Sequence, residues 1–319
     1  MNKLMEIVSR SNSIAITSHI DPDGDSIGSI LGLGLALKQK YGNIKILIRD
    51  SLPSRYEFLP GSDLIKKYDG IEEKQFDLLF VLDCGDEKRI GSNEILKNSK
   101  TIVNIDHHIS NTKFGDINII DASSSSTCEM IFSFIKDLNL LINKDVATCI
   151  YTGIVTDSGN FMYDNATEKT HLIASELLKT NLNKGRIIYN LYQRKSVNSL
   201  KFIGYSLTNM KIALAGRLAI FKVTLDLLNE FNVSYDNVEG LVSYGRDIEG
   251  IDISVVIREQ ENGKVKLSFR SKDDDVDVRA LAQLFNGGGH KKASGATLTA
   301  SLVEAESMVI EKSRKFVRW

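Results

Sequence analysis

Short runs of apolar or β-branched residues, at 14–18, 45–49, 77–82 and 101–105, punctuate the first third of the chain. Each has the length of a strand, and the later ones are continuous rather than alternating, the pattern of strands buried on both faces of a parallel sheet. A helix-like stretch at 27–40 separates the first two runs and ends at Tyr41 and Gly42. Strands alternating with helices imply an α/β, doubly wound domain. In such a sheet, ligands bind beyond the carboxyl ends of the strands, so residues placed directly after strands share one edge. His19, Asp83 and the triplet Asp106, His107 and His108 all follow strand-like runs. Groups far apart in the chain can therefore converge on one site.

The first of these positions opens an unusual turn. Residues 19–26, HIDPDGDS, place an imidazole and the carboxylates of Asp21, Asp23 and Asp25 together. Crowded carboxylates need a cation or a hydrogen-bond network to offset their repulsion. DPDG alone is ordinary turn chemistry, so the case rests on matching groups elsewhere. Residues 145–155 read as a helix that delivers TDSG at 156–159. Ser126 and Glu129 have capping-box spacing ahead of an apolar run, so the serine-rich segment 121–129 reads as a helix N-terminus. His171 lies on a helical stretch without acidic neighbours in pattern, and takes a structural role.

At 319 residues the chain suits two domains better than one. We place the first at 1–182, a polar, basic linker at 183–199, and a smaller mixed α+β domain at 200–319. The latter shows strands at 218–224, 251–259 and 264–271, a hairpin turn at Glu261, Asn262 and Gly263, an acidic loop at 273–275, and helices at 276–285 and 302–316. Cys84, Cys128 and Cys149 are widely separated, which argues against a zinc ribbon or a disulfide framework. A net charge of −1 argues against a protein that coats long nucleic acid, but allows a short phosphorylated substrate. No run is long enough to span a membrane and the N-terminus lacks a signal core, so a cytoplasmic location is expected.

HxxxDxD at 19–25, Asp83 after a later strand, DHH at 106–108 and TDSG at 156–159 together resemble the DHH phosphoesterase superfamily. NGGGHKKASG at 286–295 resembles the GGGHxxAxG signature of the DHH-associated substrate-binding domain. The resemblance covers nearly the whole chain and keeps the family's motif order. It implies two manganese ions, with magnesium or another divalent ion able to substitute. His19, Asp23 and Asp83 would hold one, and Asp25, Asp83, His107 and Asp157 the other, with Asp83 bridging. Mixed imidazole and carboxylate ligands suit manganese better than tetrahedral structural zinc. Two such ions can activate water for attack on phosphorus without a covalent protein nucleophile. By the same resemblance His108 contacts the phosphate or assists the leaving oxygen; the other reading is a hydrogen bonder that orients a ligand. Arg270, Ser268, Ser271, Gly287, Gly288, Gly289 and His290 are implied to hold the nucleotide, with Arg258 and Arg279 as weaker choices. The glycines also fit a tight turn. Asp21 stands where the family often has Asn, and Ser294 where it often has Ala.

The family's implication is a manganese-dependent phosphodiesterase that releases mononucleotides from short oligoribonucleotides and also dephosphorylates 3'-phosphoadenosine 5'-phosphate. The alternative on the same fold is hydrolysis of cyclic di-AMP or of linear pApA. A family II inorganic pyrophosphatase shares the metal motifs but carries a different second domain. A non-catalytic nucleotide-binding regulator would be signalled by a missing ligand, and every implied ligand is present. The expected partners are short RNA, a dinucleotide or a nucleoside bisphosphate, with no long nucleic acid and no membrane; self-association as a homodimer stays open.

Overall fold

In the computed structural model, which describes residues 2–68, 75–235, 240–260, 262–273 and 275–318, the chain divides into two units, Met1–Arg194 and Lys195–Trp319. Glu261 of the expected hairpin turn and Asp274 of the acidic loop lie outside the described residues.

In the first unit α1 (Asn2–Arg10) leads into β1 (Ile14–Thr17), α2 (Gly24–Lys38), β2 (Ile44–Ile48), β3 (Ile65–Lys67) and β4 (Leu78–Leu82). α3 (Asn93–Lys97), β5 (Ile102–Asp106) and β6 (Ile117–Ile120) follow, then α4 (Thr127–Asp137), α5 (Lys144–Asp157), α6 (Glu168–Leu178) and α7 (Lys184–Ile188). The sheet runs β3-β2-β1-β4-β5-β6, parallel throughout. The chain winds outward from β1 to β3, then returns to the other side of β1 at β4. The switch point thus falls between β1 and β4, where an open sheet leaves a crevice. All four residues of β1 and all five of β4 are buried, as continuous apolar strands should be. The edge strands β3 and β6 escape a sequence reading because they are short and only partly buried.

α2 begins three residues before its expected start, because the Asp23 side chain accepts the Ser26 N–H at 3.0 Å and caps the helix. Asp25 therefore sits in the first helical turn. α2 packs antiparallel on α5: Gly24 faces Thr156, and Gly28 faces Cys149 and Gly153. A Cβ on Gly28 would stand 2.6 Å from the Cys149 carbonyl oxygen, so glycine permits a backbone-to-backbone approach here. This contact brings the acidic start of α2 against the end of α5, whose last residue is Asp157.

Within the expected linker, α7 continues into a wide turn at Tyr189–Gln193. The Tyr192 hydroxyl donates to the Val155 carbonyl at 3.1 Å, tying that turn to α5. Burial pushes the Tyr192 phenol up to about 12.

The second unit contains α8 (Val197–Thr208), β7 (Lys211–Ala213), β8 (Leu218–Val223), α9 (Leu225–Glu230), α10 (Leu241–Arg246), β9 (Ile253–Glu259) and β10 (Val265–Ser271). It ends with α11 (Val278–Gln283), β11 (Gly288–His290), β12 (Ala293–Leu298) and α12 (Leu302–Ser313). Its sheet runs β11-β12-β10-β9-β8-β7, with β8 and β9 parallel and the other pairs antiparallel. Along β10, buried Val265, Leu267 and Phe269 alternate with half-buried Lys266, Ser268 and Arg270. The buried set joins Ile257, Val278, Leu281 and Val309 in one core, while Phe202, Phe221, Leu241 and Val256 form a separate cluster. Among the described residues, no helix is long and apolar enough to cross a membrane.

Candidate metal centre

Asp83 leaves β4 with φ of 54°, a left-handed conformation that is costly for a residue with a side chain. Its N–H is held by the Ile105 carbonyl at 3.0 Å. The buried carboxylate then looks two ways. Oδ2 lies 3.5 Å from His19 Nε2, and Oδ1 lies 3.7 Å from His107 Nε2. On its other side His19 Nδ1 stands 2.6 Å from the Ile20 carbonyl oxygen and 3.2 Å from Arg89 Nη2, so the ring is held from both edges.

His19, Asp23 and Asp83 bring one donor atom each to within 4.8 Å of one another, and Asp25, His107 and Asp157 do the same. In the latter group His107 Nε2 is 3.4 Å from Asp157 Oδ2 and 3.9 Å from Asp25 Oδ2. Asp83, Asp106 and His108 form a further group. Asp21 is in none of them: its φ is 52°, a conformation Asp and Asn tolerate, and its N–H donates to Asp50 at 2.6 Å.

Burial, then the charges of Asp83 and Asp157, push the Asp25 carboxyl well above its ordinary range. Burial, then Asp23 and Asp83, do the same to Asp157. Asp157 also sits at the C-terminal, electronegative end of α5. For Asp83 burial works upward, but the His19 hydrogen bond and the neighbouring imidazoles outweigh it and hold the carboxyl below its usual range. Burial opposes charge on His19, His107 and His108, yet Asp83, Asp25 and Asp106 respectively are the chief groups that raise them. Gathered carboxylate oxygens with imidazole nitrogens, short of positive charge, are a donor set that fits divalent cations.

Asp106 carries a role that its place at the head of DHH did not disclose. It is fully buried; Oδ1 meets His108 Nδ1 at 2.7 Å and Oδ2 accepts from Asn111 Nδ2 at 2.6 Å. Asn104, on β5, donates to the Val81 and Cys84 carbonyls at 3.1 Å each and so fixes the path of the chain around Asp83. Ser126 caps α4 as its spacing predicts, accepting the Glu129 N–H at 3.1 Å. The Glu129 carboxylate does not close the box; it accepts from Ser125 Oγ and Thr170 Oγ1, both at 2.8 Å. His171 stacks on Phe161, with ring centroids 5.2 Å apart.

In the second unit, strand register aligns His290, Ala293 and Arg270 across β11, β12 and β10, and aligns Gly288, Gly295 and Ser268 in the neighbouring row. Directly paired residues share a face, so in that row only the small Ala293 lies between His290 and Arg270. Arg258 pairs with Lys266 on the same face and stacks 3.8 Å over the Tyr235 ring. Ser271 is not brought to this face: it is buried and donates to the Val276 carbonyl at 2.8 Å. Arg279 pairs with Asp277 at 3.3 Å. A Cβ on Gly287 would meet the Gly295 oxygen at 2.1 Å and one on Gly289 the Ala293 oxygen at 2.6 Å, so both permit close strand packing, while Gly288 is open. Ser294 donates to the Val278 carbonyl at 2.5 Å, a contact an Ala there would lack.

The N-terminal domain model of the DHH family matches residues 13–154, and the DHHA1 domain model matches residues 216–317. The chain is 33% identical, over 95% of its length and 89% of the relative's, to the bifunctional oligoribonuclease and PAP phosphatase NrnA of Thermus thermophilus. It is 30% identical to the protein of the same name from Bacillus subtilis, over 93% of this chain and 92% of that one. Among solved structures, an exopolyphosphatase-related protein from Bacteroides fragilis is 31% identical with a TM-score of 0.90, covering 98% of this chain and 96% of the other.

Proposed function

The chain belongs to the DHH family of phosphoesterases, a DHH domain followed by a DHHA1 domain, and from that membership we propose that it hydrolyses short oligoribonucleotides to mononucleotides and also dephosphorylates 3'-phosphoadenosine 5'-phosphate. The observation that carries this reading is the gathering of His19, Asp23 and Asp83 beside Asp25, His107 and Asp157. It is joined by likeness over most of the chain to relatives named for these two activities.

We read His19, Asp23 and Asp83 as the holders of one divalent cation, and Asp25, Asp83, His107 and Asp157 as those of a second, with manganese as the expected metal. Bound there, such ions supply Lewis acidity that draws charge from phosphoryl oxygens and strengthens water as a nucleophile. The chain's own groups orient the reaction. Asp83 presents one oxygen towards His19 and the other towards His107. His108, held through Nδ1 by Asp106, is the group that meets the phosphate or gives a proton to the departing ribose oxygen. In the DHHA1 domain, Arg270 engages two phosphate oxygens, with Ser268 and His290 beside it on the same sheet face. Gly288 and Gly295 keep the floor of that face clear. A net charge of −1 supports a short substrate over a long one.

The test is product formation by the full chain with manganese and matched samples of an RNA trinucleotide, linear pApA, cyclic di-AMP, 3'-phosphoadenosine 5'-phosphate and pyrophosphate. Mononucleotide release from RNA should be fastest, with phosphate released from the bisphosphate. Fastest turnover of cyclic di-AMP would move the protein to second-messenger degradation with the same residues. Failure to hydrolyse any of them would leave a nucleotide-binding protein. Asp83→Ala should abolish all activities together, and wild-type turnover by that variant would sink the shared-ligand role.

A further inference from the structure

Among the described polar groups of the first unit, one threonine touches two of the clustered carboxylates. Thr127 is the first residue of α4 and fully buried. Its N–H donates to Asp25 Oδ2 at 2.6 Å, and the next N–H, of Cys128, donates to Asp25 Oδ1 at 2.8 Å. The N-terminus of α4 thus grips both oxygens of a carboxylate that arrives from α2. The Thr127 hydroxyl turns the other way and donates to Asp83 Oδ1 at 3.2 Å. Asp83 comes from the end of β4, so three elements meet at this residue.

The direction of that hydroxyl matters because Asp83 must face two ways. Its Oδ2 looks towards His19 and its Oδ1 towards His107, an arrangement that holds only while the carboxylate plane cannot rotate. The backbone of Asp83 contributes strain rather than restraint, with φ of 54°. A donor on Oδ1 adds a restraint from α4 to the approach of His19 on Oδ2, and it leaves Oδ1 a second lone pair for a cation. Helix capping does not need this contact, since α4 is already capped by Ser126.

We propose that Thr127 is a positioning residue of the metal centre: its hydroxyl fixes the plane of the Asp83 carboxylate while its N–H fixes Asp25, so that the start of α4 sets the spacing between the two cation-binding groups. This rests on the reading of those groups as divalent-metal ligands. Groups that orient metal ligands are worth about 10–100-fold in metal affinity, and Thr127 is expected to act on that scale through orientation alone.

The experiment is isothermal titration of the full-length protein with Mn²⁺, alongside thermal unfolding of the metal-free form. Thr127→Val keeps the shape and both backbone donors but removes the hydroxyl, and should weaken Mn²⁺ binding about 10–100-fold. Thr127→Ser restores the hydroxyl and should bind Mn²⁺ like the wild type. If Val at this position prevents folding, Thr127→Ala removes the same hydroxyl without forcing a second methyl against its neighbours, and takes the place of Val in the comparison. Wild-type Mn²⁺ affinity in the hydroxyl-free variant, or affinity lost equally in Thr127→Ser, would overturn the proposal and leave Thr127 a packing residue. Absence of Mn²⁺ binding by the wild type would overturn the underlying metal reading itself, a result distinct from either.

Discussion

The sequence places Asp106 at the site as the head of DHH but gives it no role, because its neighbours carry the obvious chemistry. Only the fold shows that its carboxylate, fully buried, divides its oxygens between His108 Nδ1 and Asn111 Nδ2. Asp106→Asn exposes the consequence. An amide has a single acceptor oxygen, so it can serve the imidazole or Asn111, and its NH2 then faces another donor. His108 loses either its orientation or the charge that favours its protonated form. The expected result is a fall in kcat on the order of 100-fold, with Mn²⁺ affinity nearly unchanged because the implied ligand set excludes Asp106. Titration calorimetry beside steady-state kinetics checks this, and affinity lost in step with kcat would make Asp106 a ligand instead. The same contrast explains what was legible at this scale. Imidazoles and carboxylates placed after strands announce themselves by type and position. Hydrogen bonders such as Asn104 and Thr127 do not, and the partners of Asp106 do not either, since these roles depend on rotamers and on the left-handed turn at Asp83.

Among the elements, the strands were readable because burial on both faces demands unbroken apolar runs, and four of the six in the first sheet were foreseen. Their edges β3 and β6, and most helices of the second unit, are short pieces with weak periodicity. The sequence puts Asp157 at a helix end, but the packing that carries it to the start of α2 was not readable, since it depends on how α2 meets α5. The glycines at that contact give a paired test. Replacing Gly28 with Ala should add helix propensity, worth about 1 kcal/mol, but its Cβ would meet the Cys149 oxygen at 2.6 Å and the Gly153 nitrogen at 3.0 Å. Forcing backbones apart in a packed core costs about 1–3 kcal/mol. The collision outweighs the propensity because a carbonyl held in α5 cannot move aside as a side-chain end could. Gly204 in α8 is the control, with nothing within 4 Å of a new Cβ; Gly204→Ala should stabilise by up to about 1 kcal/mol. Denaturant unfolding should therefore give opposite signs for the two variants. A gain for both would mean that α2 and α5 are not held at contact distance.

On the scale of the whole chain, the two units have separate cores: one built on β1, β4, α2 and α5, the other on β8, β9 and β10. The implied metal ligands, by contrast, belong to the first unit alone. A cation that binds the folded but not the unfolded state stabilises by RT ln(1 + [L]/Kd), about 2.7 kcal/mol at a hundredfold excess over Kd. That energy enters through His19, Asp23, Asp25, Asp83, His107 and Asp157, which lie in or directly beside β1, α2, β4, β5 and α5 of the first sheet's unit. Hydrogen exchange of the full-length protein, with Mn²⁺ and with EDTA, resolves the two regions. Amides of β1, β4, β5 and the first turns of α2 and α4 should exchange more slowly with Mn²⁺, while those of β8, β9 and β10 stay as they were. Equal protection of both sheets would show that the units unfold as one cooperative block. Protection confined to the second sheet would remove the metal from the first unit and, with it, the roles assigned to its carboxylates.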